Sequence, residues 1–168
     1  MSAAAVVNAA AEGEAQAMLL RCCGSARWAE RVAARRPFAS DEALFRAAAE
    51  EWASASRDDV LEALTHHPRI GADLGELRKK YASTASWAAG EQSGAQAASE
   101  ATLVALRDGN VAYEARYGHL FVVCATGKTA DEMLAILRAR MDNTHDDELR
   151  IAAGEQAKIA RIRLEKLR

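Results

Sequence analysis

A chain of 168 residues, half of them apolar and only 5% aromatic, is long enough to bury a core without disulfide or metal staples. Its net charge is −2 with acids and bases interspersed, which offers no basic face for a nucleic-acid partner. No apolar run nears the roughly 20 residues needed to cross a bilayer. Glu12, Glu14 and Gln16 interrupt the N-terminal apolar stretch and no basic residues precede it, so it does not read as a signal peptide. Cys22, Cys23 and Cys124 make an odd set with two adjacent members, which argues for reduced thiols rather than a disulfide framework. We therefore expect a soluble, cytoplasmic protein without a membrane segment. No repeat or linker divides the chain, so residues 1–168 are expected to form one domain.

Alanine and leucine, backed by Glu, Lys and Arg and interrupted by two prolines, favour helix. The expected fold class is all-α, with about eight helices. The first two are expected over 8–20 and 26–35. Ser40 ahead of Asp41 and Glu42 starts a third that runs to about Trp52, and Ser56-Arg57-Asp58-Asp59 forms a capping box for a fourth ending near Thr65. Further helices are expected over 74–81 and 91–107, with Asp108-Gly109-Asn110 as the turn that follows. Phe121-Val122-Val123-Cys124 is the one β-like run. With no second strand to pair with, it reads as a short extended connector near residues 120–125, or as the start of a helix. Thr129 through Glu132 make a second capping box, and Thr144 caps Asp146, Asp147 and Glu148 at the head of a long final helix.

Three polar residues stand where their surroundings do not ask for them. On a wheel of about 100° per residue, Leu149, Ala152, Gln156, Ile159, Arg163 and Leu167 share one arc with Arg163 at its centre, while Arg161 projects to the far side. A buried guanidinium needs a partner, and both a structural ion pair and a ligand contact answer that need. Glu91 opens a helix whose face, with Ala98, Thr102 and Ala105, is lined by small residues. It either complements the helix dipole or faces a ligand. His67 stands between His66 and Pro68, and the proline holds it extended at a helix exit. That position suits a general acid or base, and equally an ordinary exposed loop histidine.

The segments His67-Pro68-Arg69-Ile70-Gly71, Glu91-Gln92-Ser93-Gly94 and Tyr117 through Gly127 occur in one order with Cys22-Cys23-Gly24-Ser25, Arg35-Arg36-Pro37-Phe38 and a late set, Arg140, Asn143, Glu148, Lys158-Ile159 and Arg163-Leu164. In these, from about residue 18 to the end, the chain resembles the OHCU decarboxylases, which act on 2-oxo-4-hydroxy-4-carboxy-5-ureidoimidazoline in purine (urate) degradation. The resemblance implies an all-helical homodimer that uses neither metal nor organic cofactor and releases (S)-allantoin. It implies that His67 is the catalytic proton donor and that Glu91 and Gln92 line the pocket. Arg163 is expected to bind substrate, as are main-chain atoms at Pro68 and at Phe121, Val122, Val123, Cys124 and Ala125. Many members carry a serine three residues before the EQ glutamate. Here that binding position is Ala88, with Ser86 two residues further back, so one substrate hydrogen bond is not expected from it.

The chemistry accounts for such a set. The substrate's carboxylate and hydroxyl share a ring carbon next to a C=N that can accept the electrons left by CO₂, so the substrate carries its own electron sink. The protein has to orient the carboxylate, manage the hydroxyl proton and protonate the neighbouring carbon from one face. His67 and Glu91 suit the two proton tasks, in either assignment. Arg163 is best spent on the ureido or ring carbonyls, where charge grows in the transition state. Three other readings stay open. A metal enzyme could draw on His66, His67, His119 and His145, although no H-E-x-x-H or C-x-x-C spacing occurs. A helical interaction module, or a family member that binds a related ureide without turnover, would share the same amphipathic helices.

Overall fold

The computed structural model describes residues 1–69, 73–89 and 99–168, with 82–89 as backbone only. Among the described residues there are nine helices and no strand, so the fold is all-α, with one helix more than expected. The chain divides into two compact units, 1–67 with 151–168, and 68–150.

In the first unit, α1 (Ala3–Ala9) and α2 (Glu12–Cys23) replace the single helix expected over 8–20. Long-range bonds stabilise the break. The Arg36 guanidinium donates to the carbonyls of Val7 (3.1 Å) and Ala10 (2.7 Å), supplying partners that a helix end lacks. The Asn8 side chain bonds both the N–H and the C=O of Phe38, at 2.9 and 2.8 Å. These partners come from residues 26 or more positions away, so local propensity could not announce the break. The helix α3 (Ala26–Ala34) starts where expected, and α4 (Asp41–Ala53) and α5 (Arg57–Thr65) start at the expected caps. Ser40 Oγ accepts from the N–H of Ala43 at 3.1 Å. Ser56 and Asp59 exchange the two bonds of a capping box, 3.2 and 3.0 Å. Val7, Leu19, Trp28, Val32, Leu44 and Leu164 form the heart of this unit's core, and burying each such side chain stabilises by roughly 1.5–3 kcal/mol.

The second unit holds α6 (Leu74–Ala89), α7 (Glu100–Tyr117) and α8 (Ala130–Arg140) around Leu106, Tyr113, Phe121, Met133 and Leu137. The helix α6 is longer than expected. The expected start at Glu91 lies outside the described residues, and the expected turn at Asp108-Gly109-Asn110 is absent, because α7 runs straight through it. Asn110 donates to the carbonyl of Leu106 within the helix (2.8 Å). Gly109 is there for close approach: a Cβ on it would lie 2.2 Å from Leu137 Cδ2 of α8. What reads locally as a turn signal is a contact requirement. Residues 120–125 connect α7 to α8 and carry neither helix nor strand. Thr129 and Glu132 cap α8 reciprocally, at 3.2 and 3.0 Å.

The last helix, α9 (His145–Glu165), begins in the second unit and ends in the first. Thr144 Oγ1 accepts from the N–H of Asp147 at 3.2 Å. Its buried line is Glu148, Ala152, Gln156, Ala160 and Leu164. Steps of four residues advance about 40° beyond a full turn, so this line winds around the helix and leaves Arg163 half-buried beside Leu164 rather than at the centre of the stripe. Among the described residues, no helix is long and apolar enough to cross a membrane.

Candidate functional site

His67 follows α5 directly. The helix closes with the N–H of His66 on the Ala63 carbonyl (3.2 Å), and Pro68 then prevents the chain from turning helical again. His66 is exposed and its Cβ packs over Gly24, where a Cβ would meet it at 2.9 Å. Gly24 also carries φ +81 as the C-cap of α2, so glycine is required there twice over. His67 is half-buried, and its Nε2 is bonded to Oε1 of Gln156. Gln156 is fully buried on α9 and donates through Nε2 to the carbonyl of Cys23 at 3.2 Å, with Cys23 Sγ at 3.9 Å.

Arg163, two turns further along α9, points at the C-terminal end of α2. Its Nη1 donates to the carbonyls of Arg21 and Cys22, both at 3.4 Å, where a cation is favoured by the helix dipole. Bonds of that length are weak, and they occupy one edge of the guanidinium. Burial depresses the His67 imidazole below its ordinary value; the Gln156 bond offsets this in part, and the Arg163 and His66 charges push it down further. His67 therefore stands neutral at neutral pH. Arg161, which the wheel sends to the other side, lies over the Phe45 ring (3.9 Å to its centroid) and pairs with Glu165 at 2.6 Å. Cys22 and Cys23 are buried thiols, pushed by burial up to about 11 and about 12.

In the second unit the connector 120–125 is fixed by its carbonyls. Arg140 Nη1 donates to the Val122 carbonyl (2.8 Å) and Lys128 Nζ to that of Cys124 (2.7 Å). Phe121, Val122 and Val123 are buried, Cys124 and Ala125 half-buried. Arg140 lies over the Phe121 ring, 4.7 Å from its centroid, and its Nε donates to Glu148 at 2.7 Å. Glu148 has no exposed surface; it accepts also from Tyr113 Oη and from Asn143 Nδ2 (3.0 Å). A buried carboxylate with a guanidinium, a hydroxyl and an amide on it meets the condition under which a buried ion pair is tolerated. Burial, then the bond to the carboxylate, drives the Tyr113 phenol far above its usual range. Pro68, the first residue of this unit, is exposed.

Of the residues singled out from the sequence, His67 and Arg163 fall in the first unit and are close enough to sense each other's charge. Pro68 and Phe121 through Ala125 belong to the second. Glu91 and Gln92 lie outside the described residues, as does the side chain of Ala88 in α6. Among the described residues, no three His, Cys, Asp or Glu side chains are grouped to hold a metal ion. Sequence reasoning gave no role to Gln156, although the wheel set it on the same arc as Arg163. A fully polar amide on an otherwise small and apolar stripe was the available signal. The Arg140–Glu148 pair was hidden because acidic residues at a helix start have an ordinary dipole explanation.

The first unit of this all-α chain thus holds a neutral, half-buried histidine on a buried amide, beside an arginine. The chain belongs to the OHCU decarboxylase family, whose model matches residues 8–165. It is 33% identical over 137 residues to the 2-oxo-4-hydroxy-4-carboxy-5-ureidoimidazoline decarboxylase of Haloferax volcanii, covering 81% of this chain and 77% of that protein. It is 36% identical over 148 residues to the uric acid degradation bifunctional protein TTL of Arabidopsis thaliana, covering 87% of this chain and 45% of that one. The chain thus spans less than half the length of that bifunctional relative. Among solved structures, an OHCU decarboxylase crystallised in the presence of (S)-allantoin superposes with a TM-score of 0.72 at 33% identity, over 88% of this chain and 94% of the other.

Proposed function

We propose that the protein catalyses the cofactor-independent decarboxylation of 2-oxo-4-hydroxy-4-carboxy-5-ureidoimidazoline to (S)-allantoin, as a carboxy-lyase of urate catabolism. The observation that carries this reading is His67, kept neutral and bonded to Gln156 with Arg163 nearby, in a chain of this family. A neutral imidazole begins as a base, and the reaction gives it a proton to take. As CO₂ leaves, the electron pair of the broken C–C bond passes into the adjacent C=N, and the ring nitrogen takes up one proton. The hydroxyl oxygen then becomes a carbonyl by releasing its proton, and the neighbouring carbon gains one. His67 can accept the hydroxyl proton and, as the imidazolium, return it to carbon on one face. Glu91 shares the proton handling. Gln92, Pro68, position 88 and the main chain of 121–125 surround the substrate, and Arg163 holds its ureido or ring carbonyls.

In this reading residues 1–168 form one domain, in a cytoplasmic homodimer with no nucleic-acid or membrane partner. The test is an assay of chirality. Urate is oxidised in the presence of the hydrolase of the preceding step, and circular dichroism follows the product. Rapid appearance of optically active allantoin on adding the protein is the expected result. Allantoin that forms only at the background rate and is racemic would refute the activity.

A further inference from the structure

Gln156 sits at a junction where each of its two amide ends has only one chemically allowed partner type. Its nitrogen lies 3.2 Å from the carbonyl oxygen of Cys23. A carbonyl accepts and cannot donate, so the NH₂ end must be the end that faces it. The amide oxygen is thereby turned toward Nε2 of His67. That oxygen is also acceptor-only, so Nε2 must carry a hydrogen. In a neutral imidazole, one hydrogen on Nε2 leaves the lone pair on Nδ1. The amide cannot flip cheaply, since a reversed Gln156 would set oxygen against oxygen at Cys23. Gln156 is fully buried on α9, and its other anchor, the Cys23 carbonyl, belongs to the last turn of α2, closed by Gly24 N–H on Leu20 O at 2.7 Å. Both anchors are helical, which holds the geometry better than a loop would.

We infer that Gln156 is a positioning residue that fixes His67 in the Nε2–H tautomer, so that Nδ1 is the nitrogen that exchanges the substrate's proton. This rests on the proposed decarboxylation and specifies its proton path. The hydroxyl proton passes to Nδ1 with its oxygen keeping the electron pair, and the same nitrogen delivers it to carbon, so the ring returns to its starting form. The choice of a neutral amide is informative. A carboxylate behind the ring would orient it equally but would also stabilise the imidazolium, as in a serine-protease triad. An amide orients the ring and favours its charged form only in part, against the burial that disfavours it, which suits a group that must give the proton back.

The experiment is long-range ¹H–¹⁵N correlation of the histidine rings in uniformly labelled full-length protein at a pH where His67 is neutral, with His67→Asn and His66→Asn samples to assign the signals. The expected pattern for His67 is Nε2 at a protonated and Nδ1 at an unprotonated ¹⁵N position. The reverse pattern, or two averaged nitrogens, would overturn the inference. In Gln156→Met the ring should average between tautomers, with kcat about tenfold lower or worse, a fraction of what a positioned base is worth, and KM within about twofold. Wild-type kcat in a folded Gln156→Met protein would also overturn it. If that variant does not fold, the wild-type spectrum alone decides. The spectrum needs no turnover, so an absent decarboxylase activity with the expected pattern would fault the functional reading and not the tautomer.

Discussion

At the scale of single residues, the two neighbouring histidines provide the sharpest contrast. His67 is half-buried and bonded to Gln156, whereas His66 is exposed and packs on Gly24. Replacing His67 by Asn should lower kcat by roughly 10²–10⁴, the usual worth of a positioned acid or base, and give racemic product from background decay. His66→Asn should stay fast and stereospecific. The same group sets the pH dependence. Burial holds the His67 imidazole below its ordinary value, so the neutral form persists to lower pH than in a free histidine, near 6.5. Activity should be retained above that range and lost as pH falls through the depressed value, with the acid limb of kcat/KM centred below about 6.5. A limb centred above it would mean that the imidazolium is the starting form. At Arg163, the planar fork matters more than the charge. Arg163→Lys should raise KM, because lysine cannot hold a carbonyl or ureido group with two parallel bonds. Arg161→Lys, over Phe45 and paired with Glu165, should leave both constants near wild type.

At the scale of elements, the glycines of α7 and α9 test how far packing overrides propensity. Gly costs a helix interior up to about 1 kcal/mol relative to Ala. At Gly154 a Cβ meets nothing within 4 Å, so Gly154→Ala should stabilise by about 0.5–1 kcal/mol. At Gly109 the new Cβ would collide with the Leu137 side chain at 2.2 Å. Leu137 is 1% exposed and overpacking costs about 1–3 kcal/mol, so the propensity gain should be cancelled or reversed. Urea midpoints at unchanged slope measure both, and equal stabilisation at the two sites would show that α8 gives way. The same comparison explains what a sequence can announce. Caps at Ser40, Ser56, Thr129 and Thr144 were legible because the signal and its effect lie within four residues. The break between α1 and α2, and the continuity of α7 through Asp108-Gly109-Asn110, were not. Each is decided by a partner far along the chain, Arg36 and Phe38 in one case and Leu137 in the other.

At the scale of the whole molecule, the site was legible as a set of residue types and not as a mechanism. His67 and Arg163 stood out because a proline and a wheel isolate them. The groups that hold these candidates in place, Gln156 behind the histidine and Arg140 on the Val122 carbonyl, are recognisable only when residues about 20 to 130 positions apart are brought together. The cysteines close the same argument from the side of stability. Cys22 and Cys23 are each 2% exposed, and burial pushes their thiols up to about 11 and about 12. At neutral pH the nucleophilic thiolate is therefore scarce and out of reach. Cys22 Sγ is further engaged with the Met18 carbonyl at 3.4 Å, and Cys23 Sγ faces the Gln156 amide. A small thiol reagent at pH 7 should leave turnover largely intact, and its reaction with Cys22 and Cys23 should rise along the same urea curve that circular dichroism reports for unfolding. The two buried thiols then act as probes of core opening. Rapid stoichiometric inactivation of the folded protein at either residue, prevented by substrate, would instead put a thiol into the chemistry.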